Sequence, residues 1–171
     1  MNRGLMKAIL LLSVPVMVIV PAIILMVSKG TILSPDVQNP TQVTFWVAMD
    51  FLLAGLVLAI WSVKVIVTFG EGTPAPWDPT RKLVIAGPYR YVRNPMITAV
   101  ILILLGETIL FNSWALFLWS LVFFAGNLIY FPIVEEKGLE QRFGKAYLDY
   151  KESVPRWIPQ FQSWDGNRTS T

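Results

Sequence analysis

Cysteine and histidine are both absent from this chain. No disulfide framework can form, so the redox compartment is not legible. Zinc sites built from Cys and His are excluded. So are Cys–His and Ser–His nucleophile–base pairs. Any chemistry must run on carboxylates, Tyr, Arg, Lys, amides or a cofactor. Charge is scarce as well: 15% of residues are charged against 54% hydrophobic, with a net charge of only +3. That balance marks a membrane protein rather than a soluble core. The partner it implies is the lipid bilayer, and no nucleic-acid or metal partner is expected. The length suits one domain, 1–171.

What is present is four apolar runs: residues 5–27, 43–69, 96–110 and 114–134. The first has a basic start, like a signal peptide, but is too long for one and lacks a cleavage site. It reads as a spanning helix kinked at Pro15 and Pro21. The third run is short, reaching only ~22 Å at the helical rise. It is separated from the fourth by Phe111-Asn112-Ser113, which predicts a tight helical hairpin. The fold class expected is an all-α membrane protein with four transmembrane helices.

Lysine and arginine are lopsided across those spans. Arg3, Lys7, Arg81, Lys82, Arg90, Arg93 and the basic residues from Lys137 to Arg168 fall on one side. Lys29 alone falls on the other. The positive-inside rule therefore puts both termini and the 70–94 loop in the cytoplasm. After residue 134 the sequence turns polar. Glu135-Glu136 opens a helix whose Leu139, Phe143, Tyr147 and Tyr150 form one stripe. Gly144 is positioned to break it, and Val154-Pro155 to stop it. This predicts a C-terminal helix on the cytoplasmic membrane surface. The tryptophans, Trp77 and Trp157 included, read as interfacial belt residues.

Residues 87–95 read Gly-Pro-Tyr-Arg-Tyr-Val-Arg-Asn-Pro, directly before the third apolar run. Asn94 is suited to cap that helix, and Pro95 to occupy its first position. A helix N-terminus offers free N–H groups and a positive dipole end. Arg90 and Arg93 beside it suit a carboxylate or phosphate; on their own, they also suit lipid headgroups. The hairpin brings its two roots together, so these residues should lie near Glu135 and Glu136. A zwitterionic ligand fits between the two clusters. Asp50, Glu107 and Asn127 are polar groups within apolar runs and should face the bundle interior. Asn127 is expected to bond across helices, and Lys64 to snorkel.

Several motifs in order resemble one family. They are Leu83-Val84, Gly87-x-Tyr89, Arg93-Asn94-Pro95, Glu135-Glu136, Phe143-Gly144-x-x-Tyr147-x-x-Tyr150 and Val154-Pro155. Together, over roughly residues 81–159, the chain resembles the isoprenylcysteine carboxyl methyltransferases and the related phospholipid N-methyltransferases. The resemblance implies S-adenosylmethionine as methyl donor and a lipophilic, membrane-partitioned acceptor. Taken with the apolar runs, the chain divides into two helices (1–69), a cytoplasmic cofactor loop (70–95), the hairpin (96–134) and a capping segment (135–160). The resemblance implies cofactor contacts from Arg81, Lys82, Leu83, Val84 and Tyr89, then from Asn94, Pro95, Met96 and Ile97, and from Glu135. Arg90, Arg93 and Glu136 join them on charge and position. Asn94 stands where the family has His, and Ile97 where it has Tyr. Asn can still bond the cofactor but cannot act as a base. Phe131 stands where the carboxyl methyltransferases hold their substrate with an arginine. An apolar residue there puts neutral, amine, thiol and phenolic acceptors on the same footing as a carboxylate. No catalytic residue is assigned.

Two other readings compete. One is a non-catalytic four-helix accessory or lipid-binding protein, which would have no use for the arginine and glutamate clusters together. The other is a sterol-type reductase, for which the chain is too short. The acceptor atom and the oligomeric state are not legible.

Overall fold

The computed structural model describes residues 13–71 and 79–166. Five helices make up its regular structure among the described residues: α1 (Pro15–Ser28), α2 (Val43–Phe69), α3 (Pro95–Leu110), α4 (Trp114–Phe143) and α5 (Lys145–Ser153). A single 3-10 turn, Gly87–Arg90, precedes α3. Both α2 and α4 are long and apolar enough to cross a membrane, while α1 and α3 are shorter apolar helices. At 16 residues, α3 spans ~24 Å. The start of the first apolar run, with Arg3 and Lys7, lies outside the described residues, as do Trp77 and Arg168.

The tightest pairing is α2 against α3, and small residues make it possible. A Cβ on Gly55 would sit 2.6 Å from Ile103 Cγ1 and 2.9 Å from the Ala99 carbonyl. One on Gly106 would sit 2.8 Å from Leu52 and 3.1 Å from the Ala48 carbonyl. Ala48, Ser62 and Ala99 along the same seam are fully buried. Without a hydrophobic drive between helices in lipid, this close approach supplies the packing energy. The far end of α3 is closed by the loop after α1. There the Asp36 N–H donates to the Phe111 carbonyl (3.0 Å) and the Gln38 N–H to that of Leu110 (2.8 Å). These bonds satisfy carbonyls that the helix end leaves free.

The hairpin turn between α3 and α4 is as tight as its sequence predicts. Asn112 takes a left-handed conformation (φ +42°), which Asn tolerates well. The Ser113 side chain caps α4 by accepting from the Leu116 N–H at 3.4 Å. Helix α1 is tied to α4 through a consequence of its own prolines. The Val20 N–H goes to the Pro15 carbonyl in a π turn, and Pro21 has no N–H. The free Val16 carbonyl accepts from Trp119 Nε1 of α4 at 3.2 Å.

Beyond residue 134 the helix does not stop where the sequence turns polar. It runs through a π turn, Phe131–Glu135, into the polar segment that ends at Phe143. Pro132 cannot donate to the turn below, and the Glu136 N–H reaches back five residues to the Phe131 carbonyl. The apolar run of α4 thus ends at Val134, and its last two turns lie beyond that run. Gly144 (φ +55°) then breaks the chain and α5 begins. The stripe on α4 and α5 packs as expected. Tyr147 and Tyr150 form a buried cluster with Val154 and Trp164, against Leu139, Phe143, Leu83 and Ile85.

Two further expectations are corrected. Asn127 does not bond across helices: its Nδ2 donates to the Phe123 carbonyl of its own helix at 2.8 Å. Asp50 does not face the bundle interior, because it is exposed. Trp157, read as a belt residue, has packing partners within the chain. Its ring meets Phe124 and Phe131 edge-on, at 5.7 and 5.9 Å between centroids. The chain reversal after Val154 carries it back along α4.

Candidate active site

The segment before α3 is held from three directions. Gly87 has φ +53°, and a Cβ there would lie 2.9 Å from both Trp61 Nε1 and Val65 Cγ2 of α2. Only glycine lets the backbone approach that closely in this conformation. Tyr89 is buried with Val65, Ile66 and Val84, and its carbonyl accepts from Tyr150 Oη at 2.7 Å. The third hold is the chain after α5. The Arg93 N–H donates to the Pro155 carbonyl (2.9 Å), the Gln160 N–H to Tyr91 (3.0 Å) and the Trp164 N–H to Arg90 (3.1 Å). The sequence places residues up to 160 in a capping segment but gives Trp164 no role. The available signal is Trp164, a large aromatic just before the polar end of the chain.

Beneath this segment lies Glu136, 1% exposed. Arg156 binds it through both oxygens, Nε to Oε1 at 2.7 Å and Nη2 to Oε2 at 2.9 Å. Arg93 Nη1 reaches Oε1 at 2.9 Å, and Lys151 Nζ reaches Oε2 at 3.2 Å. Burial acts to raise the Glu136 pKa, but the Arg156 hydrogen bonds and the charge of Arg93 outweigh it and hold the carboxyl below its usual range. Burial pushes the Tyr89 and Tyr150 phenols well above theirs.

One cavity of about 610 Å³ opens between α2, α3 and α4. That volume is within the usual range for small-molecule sites. Of the residues singled out from the sequence, its wall includes Leu83, Val84, Tyr89, Arg93 and Asn94, then Pro95, Met96 and Ile97 at the start of α3. From α4 come Phe131 and Glu135. Arg81, Lys82 and Arg90 are exposed and lie off the wall. Glu136 lies behind it, engaged with its three cations. Glu107 is not on the wall either, although its Oε2 is buried without a partner.

Asn94 departs from its expected role in an informative way. It occupies the N-cap position, but its side chain makes no capping bond. Its carbonyl accepts from the Thr98 N–H, and its Nδ2 is buried with no partner. Arg93 Nε is likewise buried and unpartnered. A buried donor left unmade costs ~1–3 kcal/mol, and both residues line the same cavity wall. Across the cavity, Glu135 offers the complementary acceptor. The π turn assists by setting Tyr130, Phe131, Val134 and Glu135 on the cavity side of α4.

The cavity is two-natured. Its wall near the α3 N-terminus carries Arg93, Asn94, Glu135 and Arg142. Toward the middle of α4 it is lined by Val16, Val63, Val100, Phe123 and Phe131, with Asn127 among them. Residues 43–146, more than half of the chain, match the phospholipid methyltransferase family. No curated protein matches the chain.

Proposed function

The chain belongs to the phospholipid methyltransferase family and is an S-adenosylmethionine-dependent methyltransferase, and on that premise we propose that the α2–α3–α4 cavity joins cofactor and lipophilic acceptor in one chamber. The reading is carried by a single observation. The same cavity runs from unpartnered polar donors at the α3 N-terminus to an apolar lining halfway along α4. Asn94 and the Arg93 Nε, with the open N–H groups of the α3 N-terminus, would bind the cofactor's carboxylate. Glu135 would accept from its amino group or ribose hydroxyls. Leu83, Val84, Tyr89 and Met96 would pack against its apolar parts. The bound cofactor supplies a methyl group on a sulfonium, which is electrophilic without help from the protein.

The protein's share is then orientation and exclusion of water. Holding two reactants in line contributes ~7–11 kcal/mol in well-oriented systems, which suits a site without His or Cys. Phe131, braced by Trp157, would contact the acceptor's apolar body. Four membrane-spanning helices, with the polar mouth and the 155–164 segment in the cytoplasm, fit the distribution of Lys and Arg. The cofactor would enter there, and the acceptor sideways from the bilayer.

Calorimetric titration of S-adenosylmethionine into purified protein tests this. The expected result is binding by the wild type, weakened about tenfold in Asn94→Ala and Glu135→Ala, roughly one lost hydrogen bond each. Unchanged affinity in both variants would place the cofactor elsewhere.

A further inference from the structure

Asn127 is the one amide side chain that α4, among the described residues, contributes to the wall at mid-helix, with the Tyr130 phenol three residues along. Its amide orientation is fixed, because Nδ2 donates to the Phe123 carbonyl at 2.8 Å and a carbonyl can only be met by a donor. The Oδ1 is left as a hydrogen-bond acceptor, and among the described residues no donor is bonded to it. Phe123 lies one turn away on one side and Phe131 on the other, and both line the same cavity. Glu135 follows one further turn along. Four residues on one helix face thus read apolar, acceptor, apolar, acid.

Among the described residues, no lysine or arginine lines this part of the wall. Arg93 lies at the polar end with Nη1 committed to Glu136, and Arg142 donates to the Thr80 carbonyl at 3.2 Å. A carboxylate near Asn127 would therefore meet aromatic rings, a carbonyl oxygen and, among the described residues, no adjacent cation. A neutral group bearing N–H or O–H would instead satisfy Oδ1. We infer that Asn127 is a specificity-determining residue that holds the acceptor's nucleophilic group by accepting its N–H or O–H hydrogen bond. The class selected is a lipophilic amine or hydroxyl compound, over an acid or an ester. The inference rests on the chamber reading above for the acceptor's location, but its test does not require turnover.

The probes are 1-dodecanol and dodecyl methyl ether, which share an apolar tail and differ in the donor. Their binding to protein in nanodiscs is followed through quenching or enhancement of tryptophan fluorescence, with empty nanodiscs correcting for partition. Wild type should favour dodecanol by about five- to tenfold, the worth of one hydrogen bond. The preference should vanish in Asn127→Leu and Asn127→Ala, while S-adenosylmethionine affinity stays at the wild-type value. No preference in wild type, or a preference that survives both substitutions, overturns the inference. Failure of the wild type to bind S-adenosylmethionine would instead count against the chamber reading and leave the donor preference to be judged by itself.

Discussion

Replacing Glu136 by Gln removes one charge and one full acceptor from the centre of three cations. Their exposures decide the cost. The Arg93 side chain is 8% exposed, whereas Arg156 and Lys151 are 28% and 35% exposed. The latter two can turn toward water, so their share is discounted to ~0–1 kcal/mol each. Arg93 cannot readily turn to water, because its side chain is buried and its backbone is held by the bond to Pro155. A buried charge that loses its partner costs about 3–5 kcal/mol. At about 2–4 °C per kcal/mol for a chain of this size, the melting temperature should drop by roughly 6–20 °C. Tryptophan fluorescence during heating in detergent measures it, since Trp157 and Trp164 sit on the segment that Arg156 anchors. The double variant Arg93→Met/Glu136→Gln should recover part of the loss by removing the stranded cation. A drop under about 2 °C for Glu136→Gln would refute the reasoning, as would strict additivity in the double variant.

The same carboxylate sets an acid limit. Its folded-state pKa is lowered, so its contribution is complete above the ordinary value of 4.5 and is lost as pH falls through the folded one. Wild type should lose thermal stability on acidification below about pH 4.5 more steeply than Glu136→Gln, compared in parallel melts. Gly55→Ala should cost about 1–3 kcal/mol by forcing α2 from α3, read as a lower melting temperature. Gly55→Leu should abolish monodisperse behaviour in size exclusion. Gly87→Ala should combine left-handed strain with contact on Trp61 and Val65, lowering stability by about 1–3 kcal/mol. It should also weaken S-adenosylmethionine binding in calorimetry, because Tyr89 is set by that turn.

The apolar helices were legible because each apolar run is bounded by polar or turn residues. The hairpin was legible in Asn112-Ser113, and the break at Gly144 in an isolated glycine among helix formers. The continuity of α4 was hidden. The change to polar residues at Glu135-Glu136 reads as a boundary, and only the structure shows the helix running through it by way of a π turn. The partner of α3 was equally hidden, since Gly55 and Gly106 have meaning only once the two helices face each other. At the site, the meeting of Arg93 with Glu136 follows from hairpin geometry, as anticipated. The division of labour between Glu135 and Glu136 does not. Adjacent residues on a helix point about 100° apart, and only packing decides which meets the cavity and which meets Arg156.

The bonds from Pro155, Gln160 and Trp164 to residues 90–93 have a consequence for biosynthesis. The apolar helices can enter the bilayer one after another as they leave the ribosome. The polar mouth cannot, because its backbone partners are encoded about seventy residues downstream of the segment they hold. Membrane insertion and completion of the site are therefore separate events, and a chain stalled before residue 155 would be inserted but unfinished.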